Sequence, residues 1–500
     1  MPRRVVGLAV LLGVALYVCL LAHFIHACAS GSDPSGYLLQ ARELSAGRTS
    51  FPPRIVPGLD TTGLSSYLYA PLGASPSPVH PGEFVPTYPI GMPLFIAAAH
   101  LLVGWDRAFD FVILAHSLLG LGLVFALGRA LAIGAAECLA AIVLLATGPL
   151  YVLCSLQGMS DLPALAWNTA TALALWRARK NVAWAAAAGA ALSVSVLIRP
   201  NDMLMLAPLL VAWWPYGPMR PEGSFVRRAA LLVAGGVPGC ILWLSYNRLA
   251  YGGVLATGYG DVGGLFRANL LVPTLGYYAR WIPVVFSPVS LLCLGLPWVA
   301  RRSRAATFLA IWAGAYLAFF VTNRYMYETW RLLRYILPAA PALVLGAVMV
   351  GRLLLDLRWM QAVRWPRMIL GIALAGALAG QFVWDGALDV LYAGRGEETY
   401  PLAMSWLNAN LPAGSIVLTM QASGSVNFYT HFTLVRWDEL NAESFRRLAE
   451  AARLQGRALY APLFEFERQQ AMGLILQGAW QPEAKVRQLT IWRYVNPASR

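Results

Sequence analysis

Two acids and a set of arginines carry the chemistry that this sequence could perform. Asp33 lies in SGSDPSGYLLQARELSAG, which runs from Ser30 to Gly47, and Asp161 lies in LQGMSDLPALAW. A carboxylate within reach of an acceptor hydroxyl can serve as a general base. An aspartate ahead of a helix can equally be its cap, and Asp33 followed by Pro34 is a normal helix start. Both readings stay open for both residues. Arg324, Arg331 and Arg334 occur with Glu328 in TNRYMYETWRLLRYILPAAPAL, Arg199 in LIRPND and Arg280 in YYARW. Guanidinium forks match phosphate geometry, so an anionic ligand would explain the group. Taken singly, these arginines could snorkel to lipid phosphates or pair with Glu328 and Asp202. Tyr325, Tyr327, Trp330 and Tyr335 beside them read as an interfacial aromatic belt before they read as a sugar platform.

The elements that must position these groups are set by composition. With 58% hydrophobic and 12% charged residues over 500 positions, the chain has too little polar surface for a soluble globule. It reads as a polytopic α-helical membrane protein. Apolar runs near 5–27, 108–130, 136–154, 161–178, 181–198, 202–216, 228–247, 281–300, 305–322, 333–353 and 367–386 give about eleven transmembrane helices at roughly 20 residues per crossing. IGMPLFIAAAHLLVG, after Pro89, is shorter than a span and reads as a helix lying at the interface.

Orientation follows from the basic residues, which stay on the cytoplasmic side in short loops. They collect in alternate segments: Arg3 and Arg4; Arg129; Arg177, Arg179 and Lys180; Arg220, Arg227 and Arg228; Arg301, Arg302 and Arg304; then Arg352, Arg358, Arg364 and Arg367. The expected arrangement has the N-terminus inside and residues 28–107, 249–280 and the tail from about 387 outside, which puts both acids and the arginine group on the outer face. A cleaved signal peptide ending near ACAS is the competing reading of the N-terminus, but retaining the first run keeps the alternation consistent. Most of the net charge of +14 is accounted for by the inner loops and calls for no nucleic acid. The loop 249–280, with YGGVLATGYGDVGG, suits a mobile cover or a plain connector.

After the last span the character changes. Patterns predict a helix near 399–411, strands at 415–420 and 432–437, a helix near 441–455, a strand at 457–461, a helix near 464–477 and a closing strand RQLTIWRYV. The expected organisation is a membrane domain over 1–386, with 28–107 as its first outer loop, and a small extramembrane α/β domain over 387–500 whose length allows a core of its own. The six cysteines sit in or beside apolar helices without C-x-x-C spacing, and the six histidines are scattered, so neither a disulfide framework nor a zinc site is suggested. There is no P-loop, GxGxxG or GxSxG.

Asp33 and Tyr37 with ARELSAG, the approach YPIGMPLFIAAAHLLVG, and then MSDLPAL, LIRPND and RLLRYILPAAPAL resemble, in their order and common sidedness, the GT-C polytopic glycosyltransferases. The nearest group is that of protein O-mannosyltransferases and lipid A aminoarabinose transferases. The resemblance covers about residues 5–350, and the tail resembles the group's outer domains only in outline. It implies a donor sugar joined to a polyprenyl phosphate and a loop acid that acts on the acceptor. It maps the loop acid onto Asp33, a second acid onto Asp161, and an Arg-Tyr motif onto Arg334 and Tyr335. Beside it, the arginine group read above gives donor-phosphate candidates in Arg334, Arg331, Arg199 and Arg280, and Tyr37, Tyr88 and Tyr335 are the substrate-binding candidates. The family often has two adjacent acids where this chain has Asp33-Pro34, and Pro-Pro where it has Tyr88-Pro89-Ile90. A basic residue usual near the second point is absent, with Glu83 and His80 the nearest ionisable groups.

The implied function is transfer of a sugar to an envelope lipid, glycan or protein on the outer face of the inner membrane. A glycosyl phosphate carries its own leaving group, so the protein must mainly stabilise phosphate charge and activate a hydroxyl. No nucleotide site is required, and a divalent metal bridging the acids stays open. A transporter or flippase of lipid-linked sugars is the alternative, but midplane charges and paired repeats, common in transporters, are not evident. A non-catalytic assembly protein of the cell envelope is a third reading, favoured if Asp33 is dispensable.

Overall fold

The computed structural model describes residues 3–214, 224–260, 262–301, 303–326, 328–356 and 365–495. Arg220, Arg302, Tyr327, Arg358 and Arg364 lie outside the described residues, as do the side chains of Arg3, Arg4 and Arg367. Within the described residues each of the eleven apolar runs is mostly helical. Among the described residues four helices are long and apolar enough to cross a membrane: Trp105–Ala130, Phe225–Tyr251, Trp330–Leu355 and Met368–Asn410. A fifth candidate, Ala135–Ala146 with Pro149–Leu156, is bent by 63°. Length alone therefore supports four or five crossings, short of the eleven counted from apolar runs.

The difference comes from breaks that a hydropathy window smooths over. Pro149 opens the second half of the bent pair, where its missing N–H is no loss. The run expected at 281–300 is three pieces, Leu271–Val285, Pro288–Gly295 and Leu296–Ala300, parted at Ser287, whose φ of 83° no helix admits. The run at 202–216 is a 3₁₀ segment, Pro200–Met205, followed by Leu206–Trp213.

Residues 28–107 are ordered by close packing. ACAS, residues 27–30, is buried, and a helix Ser32–Ser45 follows it. The expected interfacial helix is Gly91–Val103. A Cβ on Gly91 would come within 2.5 Å of the Leu197 backbone, so glycine is what lets this helix meet Trp184–Ile198. Between the two helices, β1 (Ala74–Pro76) and β2 (Phe84–Pro86) pair antiparallel, with Ser75 opposite Val85.

The tail forms a mixed five-stranded sheet from β3 (Ile416–Leu418), β4 (Thr433–Val435), β5 (Leu459–Phe464), β6 (Ala479–Val486) and β7 (Leu489–Val495). Their order is β4-β3-β5-β7-β6, with β3 parallel to β4 and β5 and the other pairs antiparallel. The expected helices lie at Thr399–Asn410, Ala442–Leu454 and Glu465–Gln470. Two elements had no clear pattern. The helix Ser423–Tyr429 is a short SGSVNFY run, and β6 is a mostly exposed edge strand with a bulge between Pro482 and Ala484. The core of this unit is not wholly its own. Val56 and Leu68 of residues 28–107 are buried with Ile416, Leu418, Val435 and Phe445, and the Arg436 N–H donates to the Leu68 carbonyl at 2.8 Å.

Candidate functional site

Four elements far apart in sequence bring the charged side chains together. Asp33 lies in the first turn of Ser32–Ser45, Asp161 is the first residue of Asp161–Arg177, Arg199 ends the helix before the 3₁₀ segment, and Arg334 lies in the 3₁₀ stretch Trp330–Ala339. Neither acid is used as a cap, since the position before Asp33's helix is Gly31 and both carboxylates are engaged by side chains. Gly31 itself, at φ 53°, would place a Cβ 3.2 Å from Gln421 Nε2, so chain direction and space both favour glycine there.

Arg334 joins the acids. Its Nη2 donates to Asp33 Oδ2 at 2.8 Å, and its Nη1 to Asp161 Oδ2 at 3.3 Å and to Met159 Sδ at 2.9 Å. Arg199 closes the far side, with Nη2 donating to Asp161 Oδ1 at 2.7 Å and Nε to Ser160 Oγ at 3.0 Å. Tyr37 donates to the same Ser160 oxygen at 3.1 Å. Two positive and two negative groups thus alternate in one chain.

The two acids differ in surroundings. The Asp161 side chain is 0% exposed and that of Asp33 26%. Tyr88 donates to Asp33 Oδ1 at 2.7 Å and lies 2.7 Å from Ser32 Oγ. Burial raises the Asp33 pKa, but the charge and hydrogen bond of Arg334 and the Tyr88 hydroxyl outweigh it and hold the carboxyl below the usual carboxylate range. Tyr88 is oriented by Tyr37, with ring centres 4.9 Å apart, and by Tyr259 at 5.9 Å. Tyr259 belongs to the Gly-rich loop, which comes this close because a Cβ on Gly258 would meet Thr87 at 2.5 Å. Tyr335 lies between the two cations, its ring centre 5.2 Å from the Arg334 guanidinium and 5.8 Å from that of Arg199, and it stacks on Phe320 at 5.6 Å.

Asp33 and Arg334 open onto a cavity of about 340 Å³, also lined by Arg331, Gln157, Glu397, Tyr400 and Gln421. The structure therefore brings together Asp33, Asp161, Arg199, Arg334, Tyr37, Tyr88 and Tyr335, with Arg331 on the cavity wall. It does not bring in Arg280, which is exposed over Trp281 at 5.2 Å and lines no part of this cavity. Arg324 likewise lies over Tyr325. Asp202 pairs with hydroxyls, accepting from Ser195 at 2.6 Å and Tyr316 at 2.8 Å, while Arg199 turns to Asp161. Glu397, Tyr400 and Gln421 were not singled out in the sequence. They reach the cavity only through the tail's packing on residues 28–107, which no local pattern encodes. Among the described residues no group of three His, Cys, Asp or Glu side chains could hold a metal ion, and Arg334 stands between Asp33 and Asp161.

No protein-family model matches the chain, and no curated protein sequence does either. Solved structures do. The chain is similar to ArnT from Cupriavidus metallidurans bound to undecaprenyl phosphate, at 14% identity and TM-score 0.61 over 99% of each chain. Its similarity to the same protein in the apo state is 16% identity and TM-score 0.62 over the same shares. It is also similar to the arabinofuranosyltransferase AftD from Mycobacteria (mutant R1389S), at 14% identity and TM-score 0.52 over 99% of this chain and 42% of that one. At these identities the likeness is one of fold. The chain has the fold of the GT-C polytopic membrane glycosyltransferases that its motifs resemble.

Proposed function

We propose that the protein is a membrane glycosyltransferase that moves a sugar from a polyprenyl-phosphate donor to a hydroxyl of an envelope lipid, glycan or protein. The observation that carries this reading is the juxtaposition of Asp33 and Arg334 on the wall of one cavity in a GT-C fold. The similar structure that holds undecaprenyl phosphate supports the donor class. The donor phosphate binds Arg334 and Arg331. The acceptor oxygen forms the new bond to the anomeric carbon as the bond to the phosphate oxygen breaks, and the acceptor proton passes to Asp33.

Arg334 links the two halves of this reaction. While it holds Asp33, that carboxylate is a weak base. Once the donor phosphate engages the guanidinium, Asp33 is left with Tyr88 and becomes a better proton acceptor. Asp161, fully buried between two cations, is assigned a positioning role for Arg199 and Arg334 in place of the second acid–base role expected for it.

The proposed arrangement keeps eleven crossings, some made by broken helices. The N-terminus is cytoplasmic in the inner membrane, with residues 28–107 and the tail on the periplasmic or extracellular face. The site then lies where the lipid donor enters from the bilayer between helices.

The test is mass spectrometry of lipid-linked sugars and envelope glycans in cells with and without the gene, followed by transfer assays with the purified protein. Accumulation of one glycosyl phosphoprenol in the deletion strain identifies the donor. Unchanged lipid and glycan profiles would remove the proposal.

A further inference from the structure

The cavity has a second polar wall that the reaction above leaves unused. Glu397 ends the helix Val390–Glu397, and Gln421 follows β3. Glu397 Oε1 accepts from Gln157 Nε2 at 3.1 Å, while Oε2 is buried without a hydrogen-bond partner. Gln421 is held at both ends. Its Nε2 donates to the Tyr400 hydroxyl at 3.0 Å, and its backbone N–H donates to Glu467 Oε1 at 3.0 Å. Glu467 is itself fixed inside the tail, taking the Trp437 indole N–H at 3.1 Å and the Phe464 N–H at 3.2 Å. Gln421 thus presents its amide from a rigid mount.

A buried carboxylate oxygen without a donor is unfavourable unless something supplies one. Glu397 lines a cavity large enough for one small ligand, which a modest turn of its side chain would let the oxygen reach. Burial raises the Glu397 pKa against the opposing influence of Ser30, Arg331 and Gln157, so the group suits neutral hydroxyls, which can donate to it or accept from it. Carboxylates and side-chain amides are the groups that read the positions of sugar hydroxyls, since together they accept and donate in fixed directions. Arg334 and Arg331, the proposed phosphate ligands, line the same cavity, and the donor sugar is attached to that phosphate through one oxygen.

From this geometry, and resting on the glycosyltransferase reading, we infer that Glu397, Gln157 and Gln421 form the subsite that recognises the hydroxyls of the donor sugar. The tail is then a specificity element, and exchanging it changes which sugar is accepted.

The experiment uses the full chain in nanodiscs with a panel of undecaprenyl-phosphate sugars that differ at single hydroxyls. Glu397→Gln should raise the donor KM by about tenfold and flatten the ranking of the panel, as loss of a hydrogen bond to one sugar hydroxyl requires. Gln421→Ala should act in the same direction and leaves the Glu397–Gln157 pair intact, so it serves if Glu397→Gln does not fold. Binding of undecaprenyl phosphate without a sugar, read as a shift in melting temperature, should be unchanged in both. An unaltered KM and ranking, an equal loss of affinity for the sugar-free lipid, or a change confined to the acceptor KM would each overturn the subsite. If the wild type transfers from no donor in the panel, the functional reading falls and takes the subsite with it. If the wild type transfers and the variants match it, only the subsite falls.

Discussion

The two sides of Arg334 are built from the same kinds of residue and do different work. On one side Asp161, Arg199, Ser160 and Tyr37 form a closed network in which Asp161 has no solvent access. On the other side Asp33 meets Arg334, Tyr88 and open cavity, with a quarter of its side chain exposed. A buried ion pair is costly to form and still more costly to break, whereas a partly open one can exchange its partner for a ligand. The closed side therefore fixes where Arg334 points, and the open side is where a substrate can compete for it.

The largest expected effect comes from the closed side. Asp161→Asn leaves Arg199 and Arg334 buried without their shared counter-charge, which should cost about 3–5 kcal/mol. Detergent melting and folded yield should collapse together with activity. A stable Asp161→Asn protein that has lost only catalysis would reverse the comparison and return Asp161 to acid–base work.

Asp33→Asn should show the opposite split. The side chain keeps its size, and melting should move little, while transfer falls by about a hundredfold or more for want of a proton acceptor. An Asp33→Asn protein that transfers as well as the wild type would remove the base role from Asp33 and move it to another group of the site. Between the two sides, Arg334→Lys keeps the charge but loses the fork that reaches both acids, so donor use should fall by about ten- to a hundredfold. Arg331→Ala should be milder, and Arg280→Ala should leave transfer unchanged because Arg280 lies outside the cavity.

The contrast also marks what the sequence could convey. Asp33, Asp161, Arg199 and Arg334 stand out because charge is rare in an apolar chain and each sits beside a helix end. That Asp161 is sealed while Asp33 is open depends on tertiary packing, which the polar SGSDPSG around one acid and the apolar SDLPALAW around the other only hint at. The helices are legible as apolar runs, yet their breaks at Pro149 and Ser287 are not, since a proline at a helix start and a single residue at positive φ leave the hydropathy unchanged. In the tail, β5 announces itself as an apolar run and β7 by β-branched and aromatic residues, whereas β6 hides behind exposed polar and charged residues. Glu397 and Gln421 carry no signal at all, because their importance arises only where the tail meets residues 30–34.

The smallest effect tests the open side most finely. Tyr88→Phe removes one hydroxyl that donates to Asp33 and leaves the ring on Tyr37. That bond favours the ionised carboxylate, so its loss should raise the Asp33 pKa toward the ordinary value. A base must be ionised to act, and activity is therefore lost as pH falls through this pKa. The acid limb of the pH–rate profile should shift to higher pH in Tyr88→Phe, with the plateau lowered by a few-fold at most, about what one hydrogen bond supplies. Stability carries the same sign. Because the folded pKa lies below the unfolded one, Asp33 contributes stability that is present above the unfolded value and lost as pH falls through the folded value. The variant should start to lose melting temperature at a higher pH than the wild type. An unshifted acid limb would mean that Tyr88 does not tune Asp33, and that the carboxylate is governed from the Arg334 side alone.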